Sequence, residues 1–152
     1  MSRIKLLTAV SAAIVFLTSS FLYAEVTRIE ITDRETLSDS ATSVTYEAIH
    51  GVVYFTLNPS DPANTAITDI QHAPTNQSGL VEYSADFKML VPPESAASGG
   101  LLYMVNNRGG GATAPENSLQ DPLSGMGFTY LLTGWINEIA PRDGRLRLHA
   151  PI

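Results

Sequence analysis

The stretch Leu101–Gly111, LLYMVNNRGGG, runs five apolar residues straight into two asparagines, an arginine and three glycines. Its apolar part does not alternate, so a strand built from it is expected to be covered on both faces, as strands inside a parallel sheet are. The polar part then falls at the carboxyl end of that strand, the position where open α/β sheets bind their ligands. Glycines there let the backbone turn its N–H groups toward a ligand, because no Cβ obstructs a positive φ or a close approach. Gly109, Gly110 and Gly111 are therefore candidates to present amides to a developing negative oxygen, with Asn106, Asn107 and Arg108 fixing the loop or adding donors. A plain glycine turn with polar punctuation is the competing reading of the same residues.

Working outward, Val81–Val91 (VEYSADFKMLV) is the clearest strand: Val81, Tyr83, Ala85, Phe87, Met89 and Val91 alternate with Glu82, Ser84, Asp86 and Lys88, which predicts one dry and one wet face. Pro92 and Pro93 end it. Phe128–Leu132, followed by Trp135, is a second unbroken apolar run. Thr27–Thr32 alternates as a short half-exposed strand, Asp33–Thr45 reads as irregular, and Gly51 opens a β-branched and aromatic run that stops at Pro59. Arg145–Ala150 returns to alternation. No sustained helical period follows the first 24 residues, and Pro115 and Pro122 leave the link from Val105 to Tyr130 room for only a turn or two of helix. The layers that a two-sided strand needs are missing. Either sequence beyond Ile152 completes the sheet, or this is a small β-rich protein that pairs with something, a second copy of itself included.

The chain has 152 residues, enough for one ordinary domain. Arg3 and Lys5 precede an apolar run over Leu6–Leu17, with small Ala24 at a cleavage position. Residues 1–24 therefore read as a secretory signal peptide and 25–152 as the domain. Cleavage would leave a formal net charge of −8 in place of −6, which gives no general attraction to nucleic acid or to anionic membrane surfaces. The chain contains no cysteine, so disulfides, thiolate metal sites and a cysteine nucleophile are excluded, and a secreted or periplasmic location is expected. His50, His72 and His149 are too scattered in sequence for a metal cluster. No cofactor is expected. Asp61, Asn64 and Asp69 suit turns and caps. Trp135 is either core or a weak candidate to line a substrate pocket.

The segments RIEIT, YEAIHG, NPSDPANTAITDI, APTNQSGLVEYSADFKML, LLYMVNNRGG and LLTGWINEIAPRDGRLRLHAPI, which span nearly all of Thr27–Ile152, resemble secreted proteins of the α/β-hydrolase domain type, a branch of the serine-hydrolase superfamily. The resemblance implies an α/β fold class: the N-terminal part of a hydrolase sheet, an antiparallel β-meander leading into parallel central strands, β-rich with little helix and incomplete. It implies that Asn107, Arg108, Gly109 and Gly110 belong to an oxyanion loop acting on a small-molecule ester. The segment between NNRG and TGW is shorter than in such proteins. No G-x-S-x-G elbow occurs in the chain, so the nucleophilic Ser, the acid and the His are expected beyond Ile152, and the 152 residues alone are expected to be inactive. The alternative is a non-catalytic β-rich binding or interaction module derived from that fold.

Overall fold

The computed structural model describes residues 24–39, 44–108, 124–141 and 144–151. They form one mixed sheet of six strands: β1 (Glu25–Asp39), β2 (Val44–Leu57), β3 (Val81–Val91), β4 (Leu101–Met104), β5 (Thr129–Thr133) and β6 (Leu148–His149). The order across the sheet is β1-β2-β3-β5-β4. β1, β2, β3 and β5 are antiparallel neighbours, and β4 lies parallel to β5 with Met104 beside Leu132. β3 is the hub. One of its edges pairs with β2 from Val81 to Val91, and the other is shared between β5 at Phe87–Leu90 and β6 at Ser84–Ala85.

β1 and β2 are longer than their alternation suggests. The polar run after Thr32 stays extended because each residue finds a ladder partner in β2, and two register shifts, at Val26/Arg28 and Ile31/Asp33, absorb the breaks in the period-two pattern. Gly51 sits beside the second of these shifts, and a Cβ there would lie 2.2 Å from the Glu30 carbonyl and 2.7 Å from the Phe87 ring. Burial is divided among three patches. On one face Tyr46, Ala48, Leu90 and Tyr130 close together, with Leu37, Leu102, Met104 and Phe128 against them; the Tyr46 and Tyr130 rings meet edge-on at 6.0 Å. Leu132 packs with Leu146 nearby. At the far end Leu57, Ile70 and Val81 are covered by the β2–β3 link, where Asp61 caps a short turn by accepting from the Ala63 amide at 2.8 Å. Each fully buried leucine, Leu90 and Leu132, contributes roughly 1.5–3 kcal/mol relative to exposure.

The structure corrects the expected α/β class. Among the described residues helix is confined to four 3-10 turns of three residues each, so the molecule is β-rich, without the helical layers that an α/β hydrolase carries on both sides of its sheet. The cause is visible in the sequence: no described segment has a helical apolar stripe, and the final alternating run returns to β3 as β6. Burial of LLYMV on both faces is overturned with it. β4 is an outer strand of the described sheet, and Leu101, Tyr103 and Val105 are 57%, 52% and 71% exposed. β3 also departs from a simple dry and wet division: Lys88, on the expected wet side, is 2% exposed, like its same-face neighbour Leu90 at 0%, where β5 pairs beside that half of the strand. The expected signal segment lies, apart from Ala24, outside the described residues.

Candidate functional site

β4 and β5 are the parallel pair of the sheet, and their carboxyl ends lie side by side. The polar segment after β4 is fastened to the end of β5 by a small network centred on Asn106. Asn106 is 6% exposed. Its Nδ2 donates to the Thr133 carbonyl at 2.9 Å. Its backbone carbonyl and its Oδ1 both accept from the Trp135 indole N–H, at 2.8 and 3.0 Å. On the two strands themselves, the Tyr103 and Thr133 hydroxyls are 2.6 Å apart. A buried amide whose donor and acceptor are both used is held in one rotamer, so the chain leaves β4 along a fixed path.

Beyond this anchor the backbone changes character. Asn107 and Arg108 are exposed, and Arg108 has φ 47°, the left-handed region that a residue with a Cβ enters only at a cost of order 1–3 kcal/mol. The turn therefore begins one residue before the glycines. Gly109 and Gly110, with Gly111, lie outside the described residues. Of the sequence-predicted set, Asn107, Arg108 and Trp135 are brought to one end of the sheet. Trp135 is not core: it is half exposed, and its N–H is the clasp that closes on Asn106.

The residue underrated by sequence reasoning is Asn106. Of the two roles open to it, donor to a ligand or fixer of the loop, its contacts give the second. A second missed element is Gly134, whose N–H donates to the Asp86 carbonyl at 2.8 Å and where a Cβ would lie 2.2–2.4 Å from the Arg147 backbone. Only glycine lets β5 turn there against the final segment, which in turn fixes Trp135. The signal was the GW pair after an apolar run, whose glycine carries no information about the strand that approaches it.

Asp86, on the same side of β3, ties that final segment down. One carboxylate oxygen accepts from the Arg147 amide at 2.9 Å and the other contacts His149 Nε2 at 2.8 Å. His149 is thus oriented by Asp86 and stands apart from the Asn106 anchor. Glu82 and Asp86, which share a strand face in the sequence, have different partners: Glu82 accepts from Asn76 Nδ2 at 2.6 Å. Among the described residues no three His, Asp or Glu side chains converge as a metal site. An apolar hollow of about 510 Å³, lined by Leu57, Ile67, Ile70, Val81, Tyr83 and Leu148 among others, shares no residue with 101–108 or with Trp135; burial there pushes the Tyr83 phenol above its ordinary range.

No protein-family model, no curated protein and no solved structure matches the chain.

Proposed function

We propose that this chain contributes the oxyanion-stabilising loop of an exported, ester-cleaving serine hydrolase, with the nucleophile supplied by polypeptide outside these 152 residues. The observation that carries the reading is the Asn106 anchor: a buried asparagine bridging the carboxyl ends of two parallel strands, followed after Asn107 by a left-handed residue and three glycines. Donors for a developing oxyanion act by being fixed in advance, and a loop rooted in a fully bonded buried side chain meets that requirement. Asn107, Arg108, Gly109 and Gly110 then provide the amides and the cationic rim, and Trp135 holds the root in place. A tetrahedral oxyanion of ester cleavage would be stabilised by such amides, each worth roughly 2.7–4 kcal/mol of barrier.

The test is turnover of p-nitrophenyl esters by the polypeptide carrying this sequence as its source organism makes it. Cleavage is expected, falling about 10²–10³-fold in kcat with KM little changed when Gly109→Pro removes one amide. Residues 1–152 alone are expected to show no turnover. Serine-dependent cleavage by 1–152 alone, or none by the natural polypeptide, overturns the reading.

A second reading is favoured by one specific observation, the exposed Leu101, Tyr103 and Val105 at the outer strand β4. A non-catalytic β-rich module would use that strand to engage a partner, a second copy of this chain included. Concentration-independent sedimentation as a monomer would remove the self-association form of this reading.

A further inference from the structure

A hollow of about 390 Å³ lies on the same side of β2 and β3 as Leu90 and shares no residue with the Asn106 anchor. Its floor is the cross-strand pair His50 and Lys88, which are directly opposed in the ladder, with Val52 and Asp86 beside them; Thr32 forms one wall and Gly144, Arg145 and Leu146 another. Such a volume falls in the range of small-molecule sites.

Its chemistry runs against the rest of the protein. The chain is acidic, with nine Lys and Arg against fifteen Asp and Glu, yet two of those nine cations line this one hollow. Lys88 is 2% exposed, and lysine is among the residues least often buried to that degree. Among the described residues the one carboxylate in the lining, Asp86, has both oxygens committed, to the Arg147 amide and to His149. His50 Nε2 is buried without a hydrogen-bond partner, the nearest carboxylate oxygen, of Glu35, being 3.7 Å away and so beyond hydrogen-bond reach. An orphaned buried polar atom in a native structure calls for a partner of its own.

We propose that this hollow binds a compact oxyanion, the phosphate or carboxylate group of a small molecule, between Lys88, Arg145 and His50. Arg145 offers a planar fork suited to two oxygens at once, His50 a ring nitrogen, and the Thr32 hydroxyl a neutral donor. Lys88 has an interaction of its own within the protein; the site asks of it a positive charge close to the anion, and an ammonium has three donors to share. The ligand binds within the β2–β3 face and takes no part in the ester chemistry proposed above.

Isothermal titration of the full chain at neutral pH provides the test, with inorganic phosphate in one arm and succinate in the other. Saturable binding is expected in at least one arm, with the responding arm naming the anion class, and Arg145→Gln should weaken it about tenfold, the loss of one charge-assisted contact. His50→Ala should weaken it as well. Lys88→Met removes the buried charge; should that variant not fold, the half-exposed Arg145 and His50 still decide the matter. No binding in either arm up to roughly 10 mM, which is weaker than the millimolar range of the feeblest specific sites, overturns the proposal. Binding of unchanged strength in Arg145→Gln and His50→Ala together does so equally.

Discussion

Asn106 decides whether the segment after β4 is a site or merely a turn. Both ends of its side-chain amide bond within the protein, to Thr133 and Trp135, and it is nearly inaccessible. Replacing it with alanine leaves the Thr133 carbonyl without its side-chain donor and the indole N–H with only the backbone carbonyl of residue 106. Asn106→Ala is therefore expected to lower the free energy of unfolding by about 1–3 kcal/mol, the cost of buried groups left unpaired, as read from urea midpoints. Trp135 is the only tryptophan, so the same variant carries its own reporter: its emission should move to longer wavelength as the indole swings into water. Unchanged emission would show that the bond to the backbone carbonyl holds the ring without the side-chain amide. Gly134→Ala acts on the same root from the other side. Its methyl would arrive within 2.4 Å of the Arg147 backbone, where no flexible side chain can give way, so a loss of roughly 1–3 kcal/mol is expected from overpacking.

The two outer strands of the described sheet are built differently. β1 carries Arg28, Glu30, Asp33, Arg34 and Glu35 along an exposed ladder broken by two register shifts. Arg28 lies 3.7 Å from the Tyr54 ring centroid while its guanidinium bridges Glu30 at 2.6 Å, and that pairing draws the Glu30 carboxyl below and the Arg28 guanidinium above their ordinary ranges. Charges and bulges of this kind discourage strand addition. β4 has neither: it is short, uncharged and apolar, with exposed side chains. Self-association, if it occurs through this edge, should then be concentration-dependent in sedimentation and be abolished by Val105→Lys with Tyr103→Lys, while charge reversal on β1, as in Glu35→Lys, leaves it unchanged. The contrast also explains what was legible beforehand. Alternation in Val81–Val91 located β3 to the residue, since a half-buried antiparallel strand writes its burial into every second position. The unbroken run of LLYMV looked doubly buried because apolar content shows what a strand would suit and not what lies over it. β1 beyond Thr32 was missed for the opposite reason: an exposed edge strand needs only backbone partners, which leave no hydrophobic trace. In the site, the glycines advertised the turn, whereas the Asn106 and Trp135 clasp joins residues 29 apart in sequence, a distance over which no local pattern extends.

Across the whole molecule, burial is concentrated where β2, β3 and β5 meet, and the tyrosines there couple the fold to pH. Tyr46 is 2% exposed, and burial raises its phenol above the ordinary value, because the ionised form would be stripped of water. In the unfolded chain tyrosine titrates near pH 10. Below that pH both states hold the proton and the contribution to stability is intact. As pH climbs past about 10 the unfolded chain releases its proton first, so unfolding is favoured progressively until the folded phenol titrates too. Urea midpoints measured from pH 8 to pH 11 should thus be level at first and fall above about pH 10. Tyr46→Phe keeps the ring among Ala48, Leu90 and Tyr130 but removes the titrating group, and its midpoints should fall less steeply over the same range. Because Tyr46 has a further contact in the fold, the variant starts from a different baseline and the slope is the quantity to compare. Tyr83→Phe, at the other end of β3 and raised by the same cause, should flatten the alkaline limb further when combined with it. Parallel declines in the wild type and the double variant would place the alkaline sensitivity outside Tyr46 and Tyr83.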